Sequence, residues 1–323
     1  MSKLFYFLEP TGYNRYIAAA AEGSNNASVF KGYIGVWEDR LLKWHNAWPL
    51  NKRFELPFKS YWFKRYSKEI PNDVQYLLMA ESFHLSYSRK FLYLLRNRFP
   101  QAKICYVFSN PATTYNLNKI SYCGNLYDAV ITFSKDDASK YKIYYCDVLP
   151  IRLPHPHKRF KNIESDVFFV GKNKGRLDKI YEIYDKLHSL GLKCKFYIVG
   201  VSDKEQRSTE EIIYNNPISY DEVLLHVQQS RCVLELLQEG CNYVSVKTAE
   251  ALHYHKKLLT TNEYVEKSSI YDSRIIRVVR NIEDIDKSFV LTEVSDDIYD
   301  NVGLTETYDP LIEYLDKLFD NNE

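Results

Sequence analysis

Between residues 166 and 262 the chain alternates short apolar runs with amphipathic ones, and this alternation constrains the fold more than any other feature. "DVFFVG" and "KFYIVG" read as strands. Between them Leu177, Ile180, Tyr181, Tyr184 and Leu187 fall on one helical face, and Gly191 ends the run. Strand, helix and strand in that order make one βαβ unit. "SYDEVLLHVQQS" then reads as a helix with Ser219 at its N-cap, "CVLELL" as a strand, "VKTAEALHYH" as a helix and "KLLTTN" as another strand. Strands joined through helices run parallel, so this half builds a doubly wound α/β sheet.

The first half repeats the pattern. "KLFYFL", "VQYLLMAE", "AKICYVF" and "YDAVITF" have the character of buried strands, and Phe91, Leu92, Leu95 and Phe99 recur at helical spacing between two of them. Pro150, Pro154 and Pro156 then interrupt any regular element. A chain of 323 residues exceeds the usual limit for one core. Two domains follow, residues 1–155 and 156–323. Near the end, Asp309 and Pro310 open a helix whose Leu311, Leu315 and Leu318 need a docking surface. The expectation is that this helix crosses back to brace the first domain.

Charge and cysteine usage exclude several classes. With 43 Lys and Arg against 42 Asp and Glu the net charge is +1, which argues against a protein built around bulk nucleic acid, so any basic site is local. Cys105, Cys123, Cys146, Cys194, Cys232 and Cys241 lack CxxC spacing and read as reduced core residues, not as a disulfide frame or zinc site. Neither a signal peptide nor an apolar run of membrane-spanning length appears, so the expected location is cytoplasmic, with peripheral membrane contact left open.

Where "DVFFVG" hands over to its helix, Gly171 is followed by Lys172, Lys174 and Arg176. A helix N-terminus presents free N–H groups and about half a positive charge, so cations beside it suit a diphosphate. Read plainly, they are a solvated turn. No GxGxxG fingerprint and no P-loop accompany them, which disfavours a nicotinamide enzyme and an NTPase.

A second stretch bears on the choice. "LELLQEGCNYVSVKTAEALHYHKKLLTTN" runs from a strand through a glycine-containing loop into a helix with Lys247 and Glu250 in its first turns, and then into a strand. It resembles the nucleotide-sugar loop of GT-B glycosyltransferases, particularly bacterial enzymes of capsule, exopolysaccharide and lipopolysaccharide assembly. Ser245, Lys247, Glu250 and "KKLLTTN" fall at the matching places, and "FFVGKNKG" and "YDAVITFSKDDASKY" resemble further parts of such chains in the same order. The resemblance implies an α/β GT-B fold, two Rossmann-like domains facing a central cleft, with acceptor binding in residues 1–155 and donor binding in 156–323. Two departures stand out. Retaining members of the class carry a second glutamate that would fall at Asn242 here, and Lys247 replaces the more usual Arg, losing the planar fork for bidentate phosphate binding.

The resemblance also implies roles. Gly171, Lys172, Lys174, Arg176 and Lys247 would receive the departing diphosphate of a UDP-sugar, so that no metal or other cofactor is needed. Glu250 would accept hydrogen bonds from ribose hydroxyls, against a plain reading as a first-turn glutamate favoured by the helix dipole. Ser245 donates to phosphate or merely caps the helix. A base for an inverting reaction would come from the first domain, where Glu9, Glu81 and His84 lie at predicted strand ends. The acceptor class implied is a glycan or polyprenyl-linked glycan. A nucleotide-sugar epimerase of the same architecture and a catalytically silent GT-B partner protein are the alternatives.

Residues 40–68 hold eight Lys or Arg, one acid and eight aromatic residues, among them Trp44, Trp48 and Trp62. That mixture suits an anionic membrane surface, and Lys52, Arg53, Lys64 and Arg65 are its test residues. Stacking on single-stranded nucleic acid is disfavoured by the near-neutral whole. An aromatic subcore with a solvated basic rim is the plain alternative.

Overall fold

A computed structural model of the chain describes residues 2–9, 11–30, 35–155, 162–237 and 243–320. They form two compact units. The first runs to Arg152 and takes back the segment that begins at Thr305; the second spans Leu153–Leu304.

The first unit is built on six strands: β1 (Leu4–Phe7), β2 (Ala27–Val29), β3 (Tyr76–Ala80), β4 (Lys103–Val107), β5 (Ala129–Thr132) and β6 (Tyr144–Tyr145). They lie in the order β2-β1-β3-β4-β5-β6 and every pairing is parallel, with Leu4 opposite Tyr76 and Tyr76 opposite Lys103. Helices cover both faces, which is why β3 is buried along its whole length and reads as an unbroken apolar run. The helix Arg89–Arg98 starts at Ser88, whose hydroxyl accepts from Phe91 N–H, and buries Phe91, Leu92 and Leu95.

The second unit has β7 (Ser165–Lys172), β8 (Cys194–Val199), β9 (Ile212–Tyr214), β10 (Ser230–Glu235), β11 (Lys257–Thr260) and β12 (Ile276–Val278). Their order is β12-β11-β10-β7-β8-β9, again all parallel. The chain works outward from β7 through β8 to β9 and then returns to the other side of β7 with β10. Sequence order therefore reverses between β7 and β10, and in the first sheet between β1 and β3. In open α/β sheets such reversals open a crevice beyond the strand carboxyl ends, where ligands bind.

The C-terminal helix Asp309–Asp320 belongs to the first unit. Leu311, Ile312 and Leu315 are buried in that unit's core and Leu318 packs against it; burial of this kind stabilises by about 1.5–3 kcal/mol per side chain. Polar contacts fix its register: Ser24 Oγ donates to Asp309 at 2.7 Å, and Asp316 accepts from Lys3 Nζ at 2.8 Å and Tyr76 Oη at 2.6 Å.

β2, β6, β9 and β12 have no counterpart in the sequence reading. Each has two or three residues, too few for a period-two pattern to register. Within residues 40–68 the chain is largely helical, with helices Val36–His45 and Lys59–Tyr66, and Trp62 and Tyr66 are buried in the core. Five of the cysteines, Cys105, Cys123, Cys146, Cys194 and Cys232, are buried free thiols; Pro156 and Cys241 lie outside the described residues. Among the described residues no helix is long and apolar enough to cross a membrane.

Candidate functional site

At the reversal in the second sheet, β7 ends at Lys172 and its neighbour β10 ends at Glu235. Arg176 ties the two ends together. Its Nη2 donates to Lys172 O at 2.8 Å, and its Nη1 donates to Leu236 O in the loop after β10. The turn that carries the guanidinium back requires left-handed backbone at Lys174 (φ 46°) and Gly175 (φ 76°). Gly171 leaves room for it: a Cβ there would lie 3.0 Å from the Phe169 ring and 3.6 Å from Arg176 Nη2.

Glu235, fully buried, organises the other side. Its carboxylate accepts from Ser245 Oγ and Thr260 Oγ1, and from Thr248 Oγ1 at 3.3 Å. Burial raises its pKa, while these hydroxyls and the nearby Lys247 charge work against that rise. Ser245 also accepts from the backbone N–H groups of Lys247 and Thr248, at 3.0 and 3.3 Å, and so caps the helix Val246–His253. The hydroxyl is committed to these three contacts, which gives Ser245 a positioning role in this arrangement.

Lys247 and Glu250 extend from that helix. Lys247 is half-buried, and burial lowers its pKa; Glu250 and Glu235 hold it up, and the like charge of Arg176 depresses it further. Glu250 is buried, and burial raises its pKa against the attraction of Lys247. One of its oxygens accepts from Tyr220 Oη; the other, Oε2, is buried and has no hydrogen-bond partner among the described residues. A buried unpaired carboxylate oxygen costs about 1–3 kcal/mol unless something donates to it.

The structure thus brings Arg176, Lys247 and Glu250 into one electrostatic cluster. Lys172 and Lys174 stand apart, exposed, with no ion pair or side-chain hydrogen bond among the described residues. Four contributors went unremarked in the sequence: Glu235, Thr248, Thr260 and Tyr220. Glu235 had a visible signal, a lone acid at the end of the apolar run "CVLELL"; the hydroxyl residues had none. Asn242, in the loop after β10, lies outside the described residues.

At the reversal in the first sheet a carboxylate meets an imidazole. His84 Nε2 lies 3.1 Å from Glu9 Oε1, an oxygen buried from solvent. Burial raises Glu9 above 4.5, opposed by Lys43 and reinforced by Asp39. Burial, and then Lys43, lowers His84 below 6.5, opposed by Asp39. The two shifts run toward each other, and burial is the largest cause of both. Glu81 differs. It accepts from Ser109 N–H, Asn110 N–H, Asn110 Nδ2 and Asn116 Nδ2 at 3.3, 3.2, 3.1 and 2.7 Å, so its carboxylate is occupied in fixing the loop after β4.

No protein-family model and no curated protein matches this chain. Solved structures do. The catalytic domain of starch synthase IV from Arabidopsis thaliana, bound to ADP and acarbose, is similar with a TM-score of 0.53 at 10% identity over 90% of this chain and 78% of that one. A protein of Listeria monocytogenes named as a UDP-N-acetylglucosamine 2-epimerase gives 0.51 at 9% identity, over 100% and 97% of the two chains. A glycosyltransferase from Rickettsia africae gives 0.50 at 12% identity, over 99% of each. The fold is GT-B. At these identities the likeness concerns architecture alone, and the chemistry of this GT-B chain rests on its own side chains.

Those side chains divide by charge. The second GT-B unit gathers two cations, a capped helix N-terminus and two buried carboxylates, one of which, Glu250, keeps an oxygen without a hydrogen-bond partner among the described residues. The first offers a carboxylate and an imidazole for a proton. Among the described residues no group of three or more His, Cys, Asp or Glu side chains is arranged to hold a metal ion.

Proposed function

We propose that this GT-B protein is a metal-independent glycosyltransferase that moves a sugar from a nucleotide-sugar donor, a UDP-sugar by preference, to a glycan or lipid-linked glycan in surface-polysaccharide assembly. One observation carries the reading: Arg176 and Lys247 lie together at the reversal of the second sheet, beside Glu250 and its unpaired Oε2. A diphosphate brings negative charge to Lys247, Arg176 and the N-terminus of the helix Val246–His253. Ribose hydroxyls supply the donors that Glu250 lacks.

In this reading Lys247 and Arg176 stabilise the charge that grows on the diphosphate as the anomeric C–O bond breaks, with Lys172 and Lys174 at its edge. Glu235 acts through Ser245, Thr248 and Thr260, holding the helix that carries Lys247. Glu9 or His84 takes the proton of the incoming hydroxyl. The first unit binds the acceptor, the second binds the donor, and residues 40–68 meet the inner face of the membrane.

Calorimetry with uridine, UMP and UDP tests the donor site. Lys247→Ala is expected to weaken UDP by tenfold to a hundredfold, the loss of one charge-assisted contact of about 1.5–3 kcal/mol, and to spare uridine. Glu250→Gln is expected to weaken all three. Unchanged UDP binding in both variants overturns the site. Exchange of sugar configuration without an acceptor would assign an epimerase, and UDP-sugar binding without turnover a silent partner.

A further inference from the structure

Eight of the fourteen large apolar side chains exposed among the described residues lie between Val36 and Tyr61. On the helix Val36–His45, Trp37 (79% exposed), Leu41 and Trp44 (61%) are spaced four and three residues apart and form one outward stripe. The opposite side is anchored: Leu42 and His45 are buried, and Glu38 accepts from Tyr61 Oη at 3.3 Å and pairs with Arg65 at 3.4 Å. The helix is therefore held with its apolar stripe turned to solvent.

The following turn makes the same display at a cost in strain. Phe58 has left-handed backbone (φ 64°), which a bulky residue rarely adopts, and its ring is 79% exposed. A buried polar network holds it there. His45 Nε2 donates to Pro57 O at 2.8 Å while its Nδ1 accepts from Trp62 Nε1 at 2.7 Å. Lys59 Nζ, beneath the turn, donates to His45 O at 2.8 Å and Asn46 Oδ1 at 2.6 Å. Strain and buried polar groups maintained around an exposed aromatic ring point to a surface that something covers.

Beside Phe54, which is 70% exposed, lies a groove of about 690 Å³ lined by Arg53, Arg89, Lys90, Tyr93 and Tyr122 among others. Arg89 stands 5.5 Å above the Tyr122 ring and Lys90 5.4 Å above Tyr93. Its one acid, Glu55, accepts from Lys90 N–H at 2.7 Å, in the first turn of the helix that carries Arg89, Lys90 and Tyr93. Two cations over aromatic rings, with Arg53 on the same lining, suit a phosphate next to an apolar body.

We infer that this face of the first unit docks on an anionic lipid surface, the rings of Trp37, Trp44, Phe54 and Phe58 entering the headgroup layer and the groove of Arg53, Arg89 and Lys90 holding a lipid phosphate. Tryptophan at the interface and exposed basic side chains beside it are what such a surface retains. The inference rests on the membrane-contact part of the proposed function and is independent of the donor chemistry. It also narrows the segment: Trp62, Tyr66 and Lys59 belong to the core, while Val36 and Trp37 join the face from outside residues 40–68.

Co-sedimentation of the full chain with vesicles of phosphatidylcholine, with and without phosphatidylglycerol, tests it. Binding is expected on the anionic vesicles alone and is expected to weaken as salt rises. Arg53→Gln, Arg89→Gln and Lys90→Gln together should weaken it about a hundredfold, and Trp37→Ser with Trp44→Ser comparably. All five side chains are exposed or at a groove, so unchanged circular dichroism is expected to show intact folds. Lys247→Ala should bind vesicles like the wild type, separating this surface from the donor site. Glycerol phosphate that displaces the protein from vesicles by filling the groove would support the phosphate assignment. No binding to anionic vesicles, equal binding to both kinds, or equal binding by the groove variant overturns the proposal.

Discussion

The two sheet reversals share a topology and differ in what they hold. Beyond β7 and β10 the chain places cations and a deeply buried carboxylate that fixes a helix; beyond β1 and β3 it places a half-buried carboxylate and imidazole, with Glu81 bracing a loop. The difference teaches that the parallel sheet supplies only a place. In the second unit Arg176 joins the ends of two strands beside Lys247 and Glu250, whereas in the first the strand ends lead to the paired Glu9 and His84.

The largest expected effect tests that division. If Glu9 and His84 are the proton acceptors, Glu9→Gln lowers turnover by about 10²–10⁴-fold, the usual contribution of a positioned base, and leaves UDP binding unchanged. Lys247→Ala has the opposite signature, with binding lost first. Steady-state rates beside calorimetry on the same variants read both quantities. A Glu9→Gln variant with wild-type turnover would remove the first reversal from the chemistry.

A smaller effect separates the two bracing carboxylates. Glu235 is fully buried and serves three hydroxyls, so Glu235→Ala leaves buried donors unpaired and is expected to cost about 3 kcal/mol of stability. Glu81 lies in a half-exposed loop where water can replace it, and Glu81→Ala is expected to cost about 1 kcal/mol. Urea midpoints at unchanged slope measure the difference. Equal losses would mean that burial at Glu235 contributes nothing beyond its hydrogen bonds.

The fold was legible and the site only in outline, for physical reasons. Strand and helix character is local, so the apolar runs around Leu77, Ile104, Phe168 and Leu258 announced themselves, as did the helix at Ser219. Strand order is not local: nothing in residues 230–235 says that they pair with β7. Composition ranked Lys172 beside Lys247, yet of the three cations at the end of β7 it is Arg176, with a planar fork able to reach two carbonyls, that turns inward to join Lys247. Likewise Trp44 and Trp62 are equal in sequence; Trp44 lies on the outward stripe of its helix, while Trp62 fills the core and donates to buried His45.

The finest test uses pH, because the two reversals should respond to it in different quantities. Burial raises the pKa of Glu9 above the ordinary glutamate range, so a base at that position loses its proton at higher pH than an exposed glutamate, and turnover is expected to rise with pH on the acid side. Lys247 titrates below 10.5, held down chiefly by burial, so its charge is lost earlier than that of an exposed lysine. UDP affinity should therefore fall on the alkaline side by up to about tenfold, the weaker end of one charge-assisted contact. Lys247→Arg separates this from any titration of the ligand, since a guanidinium keeps its proton throughout. The alkaline limb should vanish in that variant while the acid limb of turnover stays. If the limb persists unchanged with arginine in place, the lysine charge is not what the diphosphate meets, and the cation cluster at the second reversal loses its assigned ligand.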